Sequence, residues 1–320
     1  MNNDLILHNN SRDGIDRRGF LKCMGWAGTG LLWTLNSGIL SSRALGEMAS
    51  GGSQTSAGSF NFVQISDSHI GFNKPANTDV TGTLQEAVRR INTLSIAPDF
   101  MIHTGDLTHL AQADEFDTLE QILKGTKTPQ VYYVPGEHDF LSDNGAQYMS
   151  RFGKGTQGNG WYSFDQKGVH FIGLVNVFGK SELGLGTLGA DQLDWLRKDL
   201  ASHTSSTPIV VFAHVPIWEV YAKWGWGTQD GAQVLDMLKG YGSVTILNGH
   251  IHQTIQKVEG NLTFHTACST AFPQPAPGTA EKPGPMVVPA DQLRNKLGLT
   301  NVSYVEVNHH LAIIDANLSS

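Results

Sequence analysis

Cysteine is scarce in this sequence. Its 320 residues include only Cys23 and Cys268. Small secreted domains that depend on disulfides carry several cysteine pairs, whereas a chain of this length with 40% hydrophobic residues can bury a sizeable core without them. The two cysteines therefore exclude a disulfide framework, and they give no indication of the redox compartment.

Positive charge and long hydrophobic runs are also limited. The chain has 22 Lys and Arg against 29 Asp and Glu, a formal net charge of -7. This balance disfavours binding to a nucleic-acid duplex or to an anionic membrane.

The apolar segment 23–40 is interrupted by glycines, threonines, Asn36 and Ser37. It falls short of the roughly 20 consecutive apolar residues that a stable transmembrane anchor needs.

The N-terminal region contains a basic segment followed by small and apolar residues. Arg17 and Arg18 precede the run 23–40, and the small residues Ser42 and Ala44 follow it. This pattern resembles a twin-arginine signal peptide. The resemblance implies export of the folded chain by the Tat machinery to the periplasm, and an uncleaved N-terminal anchor is the alternative. We expect a signal peptide at 1–44, a flexible linker rich in Gly, Ser and Thr at 45–59, and one folded domain at 60–320.

The predicted domain alternates between strand-like and helix-like segments. Short apolar runs that end in polar residues predict buried strands at 60–66, 100–104, 130–135, 208–213 and 244–248. Helical spacing predicts helices at 83–94, 114–123, 190–200 and 231–238. Further runs at 161–164, 169–175, 254–258, 262–266, 302–307 and 311–314 look antiparallel. Alternation of this kind indicates α/β layers with a mixed sheet or two sheets, and the six prolines of 272–289 predict a surface loop.

The residues that follow the five buried strands are rich in carboxylates and imidazoles. Because strand ends on one edge of a sheet converge, these residues could face one pocket. Any one of these motifs in isolation is more often a turn with a surface histidine. Together, their composition is typical of a metal site. The groups in question are Asp67-Ser68-His69, Gly105-Asp106, Gly136-Glu137-His138-Asp139, His214 and Gly249-His250-Ile251-His252.

The order and spacing of these motifs resemble the calcineurin-like metallophosphoesterase family, from about Val63 to at least His252. The segment 189–196 looks like the helix that follows the family's central hairpin. The resemblance implies an α/β (α+β) four-layer sandwich of two mixed β-sheets flanked by helices. It also implies a metal-ligand set in which Asp106 bridges two ions, with one ion held by Asp67, His69 and His252 and the other by His214 and His250.

The same resemblance assigns roles beside the metals. His138 would act at the substrate as an acid or charge stabiliser, and Asp139 would orient His138 and raise its basicity. The alternative for Asp139 is a helix cap near Asn144. His109 could orient a ligand from outside the metal shell.

The implied reaction is hydrolysis of a small-molecule phosphomonoester or phosphodiester by a metal-bridging hydroxide. Two cations about 3.5–4 Å apart can acidify a bridging water and neutralise phosphoryl oxygens during in-line displacement. The resemblance implies two metal ions per chain, drawn from iron, manganese and zinc, with the identity left open.

Glu137 departs from the family pattern, which has asparagine at this position. A glutamate ligand adds one negative charge and can bind through both oxygens, which favours a harder or more highly charged ion such as ferric iron. Three hypotheses follow. The chain is a phosphoesterase with Glu137 as an unusual ligand, a dinuclear metalloprotein with redox or other chemistry and an exported redox partner, or a catalytically silent binding module.

An aromatic segment follows His214 in the sequence. Trp218, Tyr221 and Trp224 could line the substrate pocket and stack on a nucleobase or an aryl ester. Ordinary packing beneath a loop is the alternative for each of these rings.

Overall fold

The computed structural model describes residues 31–36, 39–44, 58–177, 184–305 and 310–319. Residues 1–55 and 56–320 form two separate compact units. In the first unit, the backbone strands β1 (Leu31–Asn36) and β2 (Ile39–Ala44) pair antiparallel. The rest of the predicted signal peptide and nearly all of the predicted linker lie outside the described residues. Within the described residues, no helix has the length and apolar character needed to cross a bilayer.

The first sheet of the larger unit has five strands in the order β13-β12-β3-β4-β5. Strands β3, β4 and β5 are mutually parallel, while β12 runs antiparallel to both β3 and β13. The sheet is therefore mixed. Its strands are β3 (Phe60–Ile65), β4 (Phe100–His103), β5 (Val131–Tyr133), β12 (Gly298–Val305) and β13 (His310–Asn317).

The second sheet has six strands in the order β10-β11-β9-β8-β7-β6. Its four central strands are parallel, and β10 and β6 close the two edges antiparallel. The segments 169–175 and 262–266 were expected to pair antiparallel with their neighbours. Each pairs antiparallel with one neighbouring strand and parallel with the other. The strands are β6 (Tyr162–Gln166), β7 (Val169–Gly173), β8 (Ile209–Ala213), β9 (Val244–Asn248), β10 (Gln256–Glu259) and β11 (Leu262–Thr266).

Helices cover the outer face of each sheet. Helices α1 (Val80–Thr93) and α2 (Ala113–Leu123) pack on the first sheet, and α4 (Ala190–Leu200) and α5 (Gly231–Leu238) pack on the second. The short helix α6 (Ala290–Lys296) was not predicted. The short helix α3 (Ala146–Phe152) was considered only as the helix near Asn144 in the alternative for Asp139. The four-layer sandwich expected from the family resemblance is confirmed.

The strands read as continuous apolar runs because both faces of each sheet are covered. Along β3, Phe60 and Phe62 contribute to an aromatic core between the sheets, while Val63 and Ile65 pack in the core under α1 and α2. Alternate residues of a strand point to opposite faces, so each layer of the sandwich uses every second side chain. The central strands of each sheet run in the same direction, so their carboxyl ends lie at one edge of that sheet.

Candidate metal centre

The polar residues that follow the strands form one site. Asp67 and His69 follow β3, Asp106 follows β4, and Glu137 follows β5 of the first sheet. His214, His250 and His252 follow β8 and β9 of the second sheet. Three overlapping groups of these seven residues have ligating atoms within 4.8 Å of one another.

The backbone turns sharply at most of these positions. Five of the eight non-glycine residues with positive φ among the described residues belong to this site, at φ values of 41° to 69°. L-residues adopt this conformation at a cost, and such strain concentrates at functional sites. Backbone hydrogen bonds compensate, since the amide of His69 donates to the carbonyl of Asp106 at 2.9 Å. The five residues are Asp67, His69, Asp106, His250 and His252.

Gly136 permits a close approach between two of the turns. A Cβ atom at Gly136 would lie 2.0 Å from Oδ1 of Asp106, so no side chain fits at this position. The close approach lets the amide of His138 donate to Oδ1 of Asp106 at 2.9 Å. Oδ2 of Asp106 is thereby turned toward the histidines.

One group of candidate ligands comprises Asp67, His69 and His252, all buried. Nε2 of His252 lies 3.2 Å from Oδ1 of Asp67 and 3.2 Å from Nε2 of His69. Ligands about 2.0–2.1 Å from a tetrahedral ion stand about 3.3 Å apart, so these separations fit ligands of one ion.

The second group comprises Glu137, His214 and His250. Oε2 of Glu137 lies 3.0 Å from Nε2 of His214, and Oε1 lies 3.1 Å from Nδ1 of His250. The two imidazole nitrogens are 3.3 Å apart. Glu137 therefore stands in the second ligand group with both oxygens directed at the histidines.

Asp106 lies between the two groups. Its Oδ2 atom is 3.4 Å from Nε2 of His69 and 3.4 Å from Nε2 of His214. A single carboxylate oxygen at equal distance from one histidine of each group is the geometry of a bridging ligand.

The hydrogen bonds on the outer side of the imidazoles show that this site fits metal ions. Nδ1 of His252 lies 2.6 Å from the carbonyl of Phe272, and Nδ1 of His214 lies 2.7 Å from the carbonyl of Thr104. A carbonyl can only accept, so each Nδ1 carries a proton and each Nε2 is directed at a carboxylate. A neutral imidazole in this position has an Nε2 lone pair facing a carboxylate oxygen, and a bound cation between the two removes their repulsion. The mixture of imidazole nitrogens and carboxylate oxygens suits zinc, iron or manganese.

The electrostatics of the site favour bound positive charge. Burial raises the pKa of Glu137, but His250 and His214 outweigh burial and hold that pKa well below its ordinary value. Burial lowers the pKa of His214, yet Asp106 and Glu137 raise it well above the ordinary value. The carboxylates that hold a proton on His214 would equally attract a metal cation.

His138 lies at the site, but Asp139 does not orient it as predicted. Nδ1 of His138 lies 2.7 Å from the carbonyl of His109, and this backbone contact orients the ring. The Asp139 carboxylate instead accepts hydrogen bonds from the amides of Leu107, Thr108 and Gly136 and from the Thr108 hydroxyl. The prediction that Asp139 orients the His138 ring is therefore wrong. Burial lowers the pKa of His138, and the Asp139 carboxylate is one of the groups, with Asp106 and Glu137, that outweigh burial and raise it.

The alternative for Asp139, a cap on a helix near Asn144, is also wrong in its location. Asp139 accepts from the amide of Gly136 and so closes the 3-10 turn Glu137–Phe140. Helix α3 begins later, at Ala146. Asp139 therefore fixes the loop that carries Glu137 and His138.

The predicted aromatic pocket wall is not at the metal centre. Trp218 is buried against Phe264, with ring centroids 4.7 Å apart, in the core under α4 and α5. Tyr221 packs edge-to-face with Trp224 at 5.3 Å. The packing alternative holds for all three predicted residues, and none of them lines the cavity at the ligands.

A cavity of about 170 Å³ opens beside the ligands. Its aromatic walls are Phe72 and Phe272, and Lys74 and Gln274 add polar groups. Sequence reasoning missed these residues because none stands in a ligand motif. Phe272 binds His252 through a backbone carbonyl, a contact that any residue type could make. The complete lining is His69, Phe72, Lys74, Asp106, His109, Glu137, His138, His250, His252, Phe272, Gln274, Gly284 and Pro285.

Known proteins resemble this chain in both sequence and fold. A probable glycerophosphodiester phosphodiesterase GpdQ from Arcobacter nitrofigilis is 26% identical over 223 residues, covering 65% of this chain and 77% of the relative. A probable cyclic nucleotide phosphodiesterase from Rhodococcus erythropolis is 25% identical over 222 residues, covering 66% and 71%. A dimetal phosphatase from Danio rerio shares the fold with a TM-score of 0.60 at 15% identity, over 81% of this chain and 96% of that one.

The family model for calcineurin-like phosphoesterases matches residues 60–254, which contain all seven candidate metal ligands. This chain belongs to the calcineurin-like phosphoesterase family and is a metal-dependent hydrolase of phosphoester bonds.

Proposed function

We propose that the enzyme hydrolyses a small phosphodiester at a dinuclear metal centre. The observation that carries the dinuclear assignment is the position of Asp106 Oδ2, 3.4 Å from both His69 Nε2 and His214 Nε2. Asp67 and His252 would complete one metal site. Glu137, His214 and His250 would complete the other.

The two ions, when bound, supply Lewis acidity toward the phosphoryl oxygens and lower the pKa of a coordinated water. The chain positions the reacting groups around them. His138 is held through Nδ1 by the His109 carbonyl, which leaves its Nε2 for the substrate. Burial lowers the pKa of His138, but Asp106 and Glu137 outweigh burial and raise it above the ordinary value. A protonated His138 can stabilise negative charge on the phosphoryl group or protonate the departing alkoxide.

Glu137 tunes the charge of the centre. As a ligand with two oxygens near His214 and His250, it lowers the total charge of the bound cluster by one unit relative to asparagine. A phosphodiester carries one negative charge and a phosphomonoester carries up to two, so the loss of one positive charge weakens binding of the monoester more. The glutamate therefore favours a diester.

The cavity also limits the size of the substrate. Drug-sized ligands fill pockets of about 300–1,000 Å³, whereas this cavity is about 170 Å³. It accommodates the phosphoryl group and a small part of one alcohol, with the remainder outside. Lys74, an exposed residue of the lining, provides a cation, and Phe72 and Phe272 provide apolar contact. The phosphodiesterases among the relatives are consistent with this substrate class.

We also propose that the folded enzyme is exported through the twin-arginine route. The support is the Arg17-Arg18 pair and the apolar segment after it. Export of folded chains allows the centre to acquire its metals in the cytoplasm. Fractionation of cells that express the full chain, with Arg17 and Arg18 both replaced by Lys as the control, tests this; equal periplasmic amounts would refute it.

The decisive experiment measures metal content and turnover on the same protein sample. Bis-aryl and mono-aryl phosphates serve as paired substrates, and Asp106→Asn serves as the centre-deficient control. Two ions per chain with faster hydrolysis of the bis-aryl ester would support the proposal. Faster hydrolysis of the mono-aryl ester would refute the diester preference, and two ions without turnover would favour the redox alternative that Glu137 raises.

A further inference from the structure

A second cluster of histidine and aspartate lies away from the metal centre. Asp165 on β6 stands opposite His170 on β7, and His203 follows α4. Ligating atoms of these three residues lie within 4.8 Å of one another. His170 pairs with Ile209 at the start of β8, whereas His214 follows the end of that strand. Five residues of strand place the cluster about 16 Å from the phosphoesterase site.

Hydrogen bonds fix which nitrogen of His170 faces the cluster. Nε2 of His170 lies 2.8 Å from Oδ2 of Asp199, whose other oxygen accepts from the Ser163 hydroxyl at 2.7 Å. Because the partly buried Asp199 carboxylate accepts from Nε2, Nδ1 is the nitrogen directed at Asp165. Oδ1 of Asp165 lies 2.8 Å from that Nδ1.

The ring of His203 is held in a similar way. Its Nδ1 lies 3.0 Å from the Ser202 hydroxyl oxygen and 3.3 Å from the carbonyl of Asp199. The Ser202 hydroxyl donates to that same carbonyl, so both oxygens accept and Nδ1 is the protonated nitrogen. Its Nε2 then directs a lone pair at Oδ1 of Asp165, 3.4 Å away. The ring centroids of His170 and His203 lie 3.7 Å apart, with the ring planes tilted by 32°. One carboxylate oxygen therefore faces two imidazole nitrogens, an arrangement that a cation stabilises, either as a proton on His170 or as a bound metal ion.

We propose that Asp165, His170 and His203 form a separate mononuclear site for a zinc-class divalent ion. The ligands are Oδ1 of Asp165, Nδ1 of His170 and Nε2 of His203, and Asp199 is a positioning residue behind His170. Three protein ligands and an open position toward solvent are a common zinc arrangement.

The geometry requires only a small adjustment to hold the ion. The separation of 3.4 Å between Asp165 and His203 already matches the roughly 3.3 Å between ligands of a tetrahedral ion. The 2.8 Å separation between Asp165 and His170 must open by about half an ångström. The Asp165 side chain is 66% exposed and can make this movement, while His170 stays buried at 3% exposure.

The local charge also favours a cation. Burial lowers the pKa of His170, but the carboxylates of Asp199 and Asp165 outweigh burial and raise it. The competing occupant is therefore a proton on His170. Zinc and a proton are distinguishable because zinc binding needs His203 as a ligand and releases the proton.

The test uses the full chain with Zn²⁺ alone as the probe. Protein is stripped with a chelator, saturated with Zn²⁺ and freed of unbound ions, and its zinc content is then measured. We expect Asp165→Asn and His203→Asn to bind one zinc ion fewer per chain than the wild type. Asp194→Asn, at an exposed carboxylate on α4, is the matched control and should bind the wild-type number.

Further measurements separate this site from the phosphoesterase centre. Asp106→Asn should lose the ions of the centre and keep the zinc ion at this cluster. Asp199→Asn should weaken zinc binding here about 10–100-fold, as loss of an outer-shell partner does. Anomalous scattering from zinc-soaked crystals should show a peak between the three ligand atoms. Equal zinc content in the wild type, Asp165→Asn and His203→Asn, or the absence of that peak, would overturn the proposal.

Discussion

Oε2 of Glu137 lies 3.0 Å from Nε2 of His214. The side chain is largely buried and belongs to the second ligand group of the centre. At this separation the carboxylate and the imidazole fit two ligands of one ion. The residue that departs from the family pattern therefore lies within the proposed second ligand group, where its charge would act on a phosphoryl group bound at the centre.

Replacing Glu137 by Asn should raise the phosphodiesterase rate. The change restores one unit of positive charge to the metal cluster, and we expect kcat/KM for a bis-aryl phosphate to rise about tenfold, equivalent to about 1.4 kcal/mol. The mono-aryl ester should gain more because it carries more negative charge. Steady-state kinetics with both esters provide the measurement. Glu137→Gln, which removes the charge and keeps the length, is the control, and a fall in both rates with intact metal content would contradict the role assigned to the charge.

Replacing Asp106 by Asn should remove both metal ions together. Its Oδ2 atom is equidistant from the two ligand groups, so the amide would weaken both sites at once. Metal analysis after gel filtration provides the measurement. Asp236→Asn, at an exposed position on α5, should keep the wild-type metal content. Loss of a single ion from Asp106→Asn would show that Asp106 does not bridge.

Replacing His138 by Ala should slow catalysis while the metals remain. The residue lines the cavity and its backbone amide, not its ring, bonds to Asp106. Loss of a positioned acid reduces kcat by about 10²–10⁴-fold. His109→Ala is the control, because it removes a ring stacked 4.9 Å from His138 but retains the orienting carbonyl. Equal losses in both variants would assign the effect to packing.

Replacing Asp139 by Asn should lower stability more than it alters chemistry. The carboxylate accepts from the amides of Leu107, Thr108 and Gly136, and an amide nitrogen in its place would face those donors. Leaving buried donors unsatisfied costs about 1–3 kcal/mol. Urea denaturation should show a lower midpoint with an unchanged slope. A large fall in kcat at full stability would instead restore the direct role beside His138.

Much of the fold was predictable from the strand and helix patterns. Helices at 190–200 and 231–238 and the strand at 244–248 match the structure to the residue, because their apolar periodicity coincides with their burial. The short helix Ala290–Lys296 was missed, since none of its residues is buried and it has no apolar face to detect. Which strands pair in parallel depends on long-range contacts that local sequence patterns do not encode.

The sequence predicted the features of the site that depend on side-chain type. It did not predict the features that depend on backbone contacts. The seven ligand positions are marked by carboxylates and imidazoles after strands, and the structure brings all of them together. The carbonyls of Thr104 and Phe272 orient two of these ligands, His214 and His252, and the carbonyl of His109 orients His138. Backbone carbonyls carry no sequence signature. The aromatic segment after His214 led to a wrong prediction of the pocket wall, because the same aromatic residue types occur in hydrophobic cores and in pockets.

Zinc should stabilise the cluster of Asp165, His170 and His203 more strongly as pH rises. Burial lowers the pKa of His170, but Asp199 and Asp165 raise it by more, so its folded-state pKa lies above the ordinary value of 6.5. In chelated protein, the stability from protonated His170 is therefore fully present below pH 6.5 and lost as pH rises through the folded pKa. Zinc binds the neutral imidazole, so its stabilisation has the opposite dependence on pH.

The measurement is the rise in Tm that Zn²⁺ produces at pH 6 and at pH 8, in the wild type and in His203→Asn, with Asp106→Asn as the common background. The background removes the ions of the phosphoesterase centre, so the remaining difference reports on this cluster. We expect the zinc-dependent rise to be larger at pH 8 in the wild type and absent from His203→Asn at both pH values. A rise that is the same in both proteins would mean that zinc acts elsewhere, and a proton would then be the cation that holds these three side chains together.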